Sequence, residues 1–119
     1  LIPYLIDGVL LKKNISVTEG TQIRQYIHVD DVTNVLLKIL SQNYKASIYN
    51  ISPDDIISVK EIIKIIFDSL NCDFSNVNII SKRDESMQWL ALCNKKAKKE
   101  FNWKPIIKMK EGVLAYLEK

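Results

Sequence analysis

The chain has 119 residues, of which 47% are apolar and 26% are charged, and it carries a formal net charge of +3. This length suits one domain, and the composition is typical of a soluble globular protein. The charge excess is too small to indicate a nucleic-acid partner by itself. The apolar run 1–11 is interrupted by Asp7 and Gly8 and is shorter than the ~20 residues of a membrane span, so no membrane partner is expected.

The two cysteines, Cys72 and Cys93, lack a CxxC spacing, and the single histidine, His28, is far from both in sequence. This pattern argues against a zinc site, and no metal-binding residue is predicted. Such sparse use of cysteine favours a reducing compartment, so we expect a cytoplasmic protein.

Local patterns in the first half of the chain predict a helix, two strands, a second helix and a third strand. Pro3 suits the first turn of a helix, where its missing N–H costs nothing. In the segment 24–29 apolar residues fall in both registers, which predicts a strand covered on both faces. Asp30 or Asp31 is the expected N-cap of the second helix. The predicted ranges are 3–12, 15–18, 24–29, 31–41 and 47–51.

The second half begins with Ser58 and Glu61 at the spacing of a capping box, followed by a stripe of apolar residues that predicts a helix ending at Asn71. A strand over 77–81, a charged loop over 82–85, and helices over 95–101 and 110–117 follow. Pro105 stops the first of these helices. The predicted fold class is α/β, with mixed helices and short strands.

The chain has three glycines, Gly8, Gly20 and Gly112, and none is spaced to form a Gly-rich phosphate loop. It also contains no Tyr-x-x-x-Lys pair. We therefore predict no cofactor-binding and no catalytic residue within the chain.

Several segments carry a family resemblance, and they occur in a fixed order. The most informative is RQYIHVDD over residues 24–31. The others are YNI at 49–51, KRDE at 82–85, KA at 96–97 and FNWKP at 101–105. Together they resemble the C-terminal substrate-binding portion of extended short-chain dehydrogenase/reductases, the NAD-dependent nucleotide-sugar epimerases and dehydratases. The resemblance covers nearly the whole chain.

This resemblance implies roles for individual residues. Arginines at the positions of Arg24 and Arg83 hold the nucleotide diphosphate, since a guanidinium donates two hydrogen bonds to phosphate oxygens and supplies charge. Tyr26 lies beside the same group. The implied lining of the nucleotide pocket consists of Ser16, Val17 and Val59.

The sequence departs from the family pattern at three positions. Gln25 stands in place of the usual Asp, Ser86 in place of an acid that meets a ribose hydroxyl, and Cys93 in place of an Asp. Because Ser86 removes the expected ribose contact, the sugar and the base are not carried over from the family.

The resemblance further implies that residues 1–119 are one C-terminal substrate-binding region. A Rossmann domain that binds NAD or NADP and performs hydride transfer would precede it. The complete Rossmann domain would be absent here, and the chain alone would be inactive. The implied partners are a nucleotide-diphosphate sugar and further copies in a homo-oligomer, without nucleic acid.

Alternative interpretations remain for the same residues. The whole chain could be a non-catalytic binding or assembly module of this fold, or a small basic nucleic-acid-binding domain built on the lysines of residues 95–110. Individually, Arg24 suits a surface ion pair, Arg83 a solvated loop and His28 a packed or capping role. The lysines suit the solvated face of two short helices.

Overall fold

The computed structural model describes residues 1–73, 75, 77–79 and 88–118. Its helices and strands alternate along the chain, as the α/β prediction requires. The elements are α1 (Ile2–Leu10), β1 (Ile15–Val17), β2 (Ile23–Arg24), α2 (Val29–Leu40), β3 (Ile57–Ser58), α3 (Val59–Leu70), β4 (Val77–Ile79), α4 (Lys95–Phe101) and α5 (Met109–Leu117).

The strands form two small sheets. β1 pairs with β4 in parallel, and β2 pairs with β3 in antiparallel orientation, with Arg24 opposite Ile57. β2 also has a neighbour on its other side. The Ile23 N–H donates to the Gln88 carbonyl at 2.8 Å, and the Leu90 N–H donates to the Ile23 carbonyl at 3.1 Å. β2 therefore connects the start of α3 with residues 88–90.

The larger of the two hydrophobic clusters is built around α3. The predicted apolar stripe of this helix is buried against α1, β1 and α5, because residues three and four apart share one helix face. Its buried members are Leu5, Ile6, Ile15, Val17, Val59, Ile62, Ile63, Ile66, Phe67 and Val113.

The smaller cluster joins α2 to α4 and consists of Val35, Ala97, Phe101 and Trp103. The rings of Tyr44 and Tyr49 pack against Phe101, with centroids 4.8 Å and 4.6 Å from the centroid of the Phe101 ring. The chain passes between the clusters after β2, where Tyr26 packs on the larger one and Ile27 on the smaller one. Residues 24–28 are therefore partly covered on both faces, as predicted, whereas Val29 is exposed.

Helix ends follow the sequence signals at α3 and differ at α2. Ser58 and Glu61 form the predicted capping box, and Asn71 ends α3 in the left-handed conformation with φ 54°. The predicted cap of α2 was wrong, because His28 is the N-cap and its Nδ1 accepts the Asp30 N–H at 3.2 Å. The backbone is still extended at His28 and becomes helical at Val29, so both aspartates lie inside the helix.

Two predicted strands were also wrong. The strand expected over 24–29 is reduced to Ile23–Arg24, because the chain leaves the ladder to reach the cap of α2. Residues 47–51 form no strand, since no described strand pairs with them. The strand over 77–81 is observed for Val77–Ile79, and its last two predicted residues lie outside the described part of the chain.

Candidate functional site

A cavity of about 670 Å³ opens where β1 ends and α3 begins. Both charged and apolar side chains reach it, so it can hold a ligand that has polar and flat apolar parts. The lining residues are Val17, Thr18, Glu19, Thr21, Lys60, Glu61, Ile63, Lys64 and Val77.

The loop over 18–22 forms one wall of this cavity because it is tied to the first turn of α3. The Gly20 carbonyl accepts the Lys60 N–H at 2.9 Å, and the Gln22 carbonyl accepts the Val59 N–H at 3.1 Å. Gly20 has φ +70°, and a Cβ there would lie 2.8 Å from the Lys60 nitrogen. Only glycine meets both conditions without strain. The wall is therefore rigidly attached to the helix.

Three predicted pocket residues occupy different positions around this cavity. Val17 is buried and lines it, whereas Val59 is buried in the larger cluster at the start of α3. Ser16 points to the opposite face, as alternation along a strand requires. Its N–H donates to the Tyr4 hydroxyl at 2.9 Å. The structure thus brings Val17 and the start of α3 together and leaves Ser16 outside the cavity.

Arg24 and Tyr26 lie along the adjoining β2 segment, and both are half-buried. The Arg24 Nη1 donates to the Ile23 carbonyl at 2.7 Å. Burial raises the pKa of the Tyr26 phenol, and the nearby Arg24 charge opposes this rise. Tyr26 also lines two smaller cavities of about 230 Å³ and 300 Å³ that contact α5. A positive charge on Arg24 and the aromatic ring of Tyr26 therefore lie near each other on the segment that pairs with β3.

Arg83 and Ser86 lie outside the described residues. The nearest described part of the chain after them is Gln88, whose carbonyl accepts the Ile23 N–H at 2.8 Å. Since Ile23 precedes Arg24, residues 88–90 run next to the strand that carries Arg24.

A polar network behind this strand was not foreseen as a functional feature. The Gln25 Oε1 accepts the Leu92 N–H at 2.6 Å, and its Nε2 donates to the Pro53 carbonyl at 2.8 Å. Buried Ser52 donates to the Leu92 carbonyl at 3.2 Å, and buried Asn94 donates to the Ser52 carbonyl at 2.8 Å. The available signal was the replacement of the usual Asp by Gln25.

The lysines of residues 95–110 are exposed apart from half-buried Lys98, and three of them contact the segment 47–55. Lys96 binds the Ser47 hydroxyl and lies 4.4 Å from the centre of the Tyr49 ring. Lys98 pairs with Asp54 at 2.8 Å, and Lys108 pairs with Asp55 at 2.7 Å. The lysines therefore lie on a solvated face, as expected, and three of them also hold the segment 47–55. These contacts also weaken the nucleic-acid interpretation.

All three glycines have packing roles. Added Cβ atoms would meet Ile15 at Gly8, Lys60 at Gly20 and His28 at Gly112, at 2.5, 2.8 and 3.1 Å respectively. Gly8 and Gly112 lie inside α1 and α5, and Gly20 is the single glycine of its loop, so the three do not form one Gly-rich phosphate loop.

Neither a metal-binding cluster nor a membrane-spanning helix is found within the described ranges. Residues 1–73, 75, 77–79 and 88–118 contain no group of three His, Cys, Asp or Glu side chains that could hold a metal ion. In the same part of the chain, every helix is too short or too polar to cross a bilayer.

Comparison with known proteins gives consistent matches. Residues 1–52 match the model of the NAD dependent epimerase/dehydratase family. CDP-abequose synthase of Salmonella typhimurium is 29% identical over 125 residues, which cover 99% of this chain and 42% of that protein. The chain thus spans less than half the length of this relative.

Two solved structures share the fold over nearly the whole chain. The dTDP-glucose 4,6-dehydratase of Bacillus anthracis in complex with NAD has a TM-score of 0.87 at 21% identity, and the match covers 99% of this chain and 38% of that one. The UDP-glucose 4-epimerase of Thermotoga maritima with UDP-glucose has a TM-score of 0.84 at 21% identity, covering 98% and 38%. The chain has the α/β fold of a part of these extended short-chain dehydrogenase/reductases.

Proposed function

We propose that the chain is the C-terminal, substrate-binding part of an NAD(P)-dependent nucleotide-sugar epimerase or dehydratase. In this proposal it holds the nucleotide diphosphate, and residues that precede Leu1 perform the hydride transfer. The observation that carries the proposal is the cavity between Val17 and the first turn of α3, with Arg24 on the adjoining strand.

The dimensions and lining of the cavity suit a nucleotide. Its volume of about 670 Å³ falls in the range of small-molecule sites, which is about 300–1,000 Å³. Val17 and Ile63 provide apolar surface for a base, and the charged lining consists of Lys60 and Lys64 together with Glu19 and Glu61. A ligand that has both a flat apolar ring and polar groups matches this lining.

Arg24 is the proposed diphosphate ligand from β2. Its guanidinium reaches the Ile23 carbonyl with one nitrogen, and its fork geometry suits two phosphate oxygens. Arg83 is proposed as the second arginine, because Gln88, farther along the same segment, is bonded to Ile23. Tyr26 is proposed to contact the same group. Ser16 is left out of the proposed contacts, since its side chain faces away from the cavity and its N–H donates to the Tyr4 hydroxyl.

The proposal assigns NAD or NADP to the preceding residues, where a Gly-x-x-Gly-x-x-Gly loop and a Tyr-x-x-x-Lys pair are expected. It also places the protein in the cytoplasm, where the exposed free thiols of Cys72 and Cys93 would persist. A gene whose codons before Leu1 encode neither motif would disprove the catalytic half of the proposal.

Calorimetric titration of the chain with CDP-, dTDP-, UDP- and GDP-sugars tests the binding half directly. CDP-sugars come first, since a relative is a CDP-abequose synthase. At least one series should bind, and Arg24→Gln should weaken that binding about tenfold or more, because charge-assisted hydrogen bonds are lost. Arg24→Lys should restore it only in part, since a lysine keeps the charge without the fork.

The matched control is Lys45→Gln, which removes the same charge from an exposed position beyond α2. An equal loss of affinity in this variant would assign the effect to net charge rather than to Arg24. Failure of every nucleotide sugar to bind a folded chain would rule out the proposed pocket.

A non-catalytic assembly module is the second candidate, and the exposed apolar face of α2 favours it. Leu36, Leu37 and Leu40 expose between 52% and 82% of their surface. Such a face is typical of a surface that another protein covers. This candidate predicts association in solution without any nucleotide-sugar affinity.

A further inference from the structure

β2 is the strand on which the proposed diphosphate ligand lies, and its ladder with residues 88–90 is incomplete. Ile23 uses both of its backbone groups in this parallel pairing. In a regular parallel ladder, the Leu92 N–H would next donate to the backbone carbonyl of Gln25. It donates instead to the Gln25 side chain, at 2.6 Å from Oε1. The amide side chain therefore replaces one rung of the ladder.

The other end of the same amide reaches a third segment. Gln25 Nε2 donates to the Pro53 carbonyl at 2.8 Å. Beside it, Ser52 and Asn94 join the segments around 52 and 92 through their own side chains. Gln25 thus stands where β2, the segment 52–54 and the segment 88–92 meet, and it bonds both of the others.

An aspartate could not make both bonds. Its carboxylate accepts hydrogen bonds and cannot donate one to the Pro53 carbonyl, and its side chain is shorter by one methylene. The side-chain amide of glutamine is long enough and has both a donor and an acceptor. The residue type in this chain is therefore matched to its two partners.

We propose that Gln25 is a positioning residue for Arg24, the proposed diphosphate ligand. It fixes the register of residues 88–92 against β2, the strand that carries Arg24. The inference rests on the proposed function for the identity of the ligand. The contacts of Gln25 stand independently of that ligand.

The test compares Gln25→Leu, which removes both bonds, with Gln25→Glu, which keeps an acceptor for the Leu92 N–H. Amide exchange at Leu92 is followed by NMR, and affinity for the best-binding nucleotide sugar is measured at a temperature where each variant is folded. In Gln25→Leu, Leu92 should exchange about fivefold faster or more, since one hydrogen bond is lost. Nucleotide-sugar affinity should fall about threefold to tenfold. Gln25→Glu should restore Leu92 protection and part of the affinity.

Two controls separate positioning from general loss of stability. Gln42→Leu makes the same substitution at an exposed glutamine. Asn71→Ala destabilises the end of α3, where φ is 54°. Neither should change Leu92 exchange in the folded state or the affinity.

Unchanged Leu92 exchange in Gln25→Leu would overturn the positioning role. Faster exchange at Leu92 with unchanged nucleotide-sugar affinity would overturn the link between Gln25 and diphosphate binding by Arg24. If the unmodified chain binds no nucleotide sugar, both the proposed function and the link between Gln25 and diphosphate binding fail. Exchange at Leu92 still decides whether Gln25 sets the register of residues 88–92 against β2.

Discussion

Asp31 and Trp103 are joined directly although they lie far apart in the sequence. The indole Nε1 of Trp103 donates to the backbone carbonyl of Asp31 at 3.1 Å. The Asp31 carboxylate, 1% exposed, accepts the N–H groups of Ile106 at 3.1 Å and Ile107 at 3.0 Å. Two segments of the family resemblance therefore hold each other in place.

Asp31→Asn should destabilise the chain by about 1–3 kcal/mol, because an amide nitrogen then faces buried N–H donors that lose an acceptor. Urea unfolding measures the change in free energy. The control is Asp30→Asn at the neighbouring, exposed position, where a loss below about 1 kcal/mol is expected from the helix dipole. Equal losses at both positions would refute the special role of Asp31.

Gly20 offers a test of whether backbone conformation or close contact requires glycine. Gly20→Ala should cost roughly 1–3 kcal/mol, because φ +70° is strained for alanine. Gly20→Asn relieves much of that strain, yet its Cβ would still lie 2.8 Å from the Lys60 nitrogen. We therefore expect both variants to lose similar stability in urea unfolding. Recovery of most of the stability by asparagine would identify φ as the only requirement.

The Lys98–Asp54 pair should make stability depend on pH in the acid range. The hydrogen bond from Lys98, followed by that from Asn94, lowers the pKa of the Asp54 carboxyl. A carboxyl with a lowered folded pKa stabilises the fold above its unfolded pKa of about 3.9, and this contribution disappears as pH falls through the folded value.

In Lys98→Met, an NMR titration should show the pKa of Asp54 moving upward, and the loss of stability on acidification should become smaller. Lys95→Met, on the same helix and exposed, serves as the control. An unchanged Asp54 titration in Lys98→Met would show that the pair does not form in solution.

The exposed face of α2 should cause the isolated chain to associate with itself. The chain has a radius of gyration of 16.8 Å, compared with about 13–14 Å for a compact domain of this length. Because the chain is less compact than such a domain, more of its apolar surface stays uncovered. Light scattering should give a mass above that of one chain. Replacing Leu37 and Leu40 by lysine should shift it towards the monomer, while Leu114→Lys on α5 should not. A monomer at every concentration would contradict this expectation.

Features that depend on neighbours in sequence were predictable, and those that depend on distant partners were not. The capping box of Ser58 and the stop at Asn71 are local, and both were confirmed. Asp31 resembled a cap because the N–H groups of residues 106–107 that donate to its carboxylate could not be identified from the sequence. The segment 47–51 has the composition of a strand, but a strand also requires a paired neighbour.

The same distinction applies to the candidate site. The resemblance identified Val17 and the start of α3, which line or adjoin one cavity, and Arg24 beside them. It did not indicate that Gln25 bonds two distant backbone segments, because those partners come together only through the fold. The departure from the family pattern at that position was visible in the sequence, while its physical meaning was not.

The two hydrophobic clusters share no buried residue, and the chain crosses from one to the other between Tyr26 and Ile27. Parts of a protein with separate cores can open as separate cooperative units. The α2–α4 unit should therefore open to solvent at a lower free energy than the unit around α3. Hydrogen exchange should then show two levels of amide protection, with the lower level in the α2–α4 unit. Nucleotide binding against α3 would then raise the amide protection of the unit around α3 and leave that of the α2–α4 unit nearly unchanged.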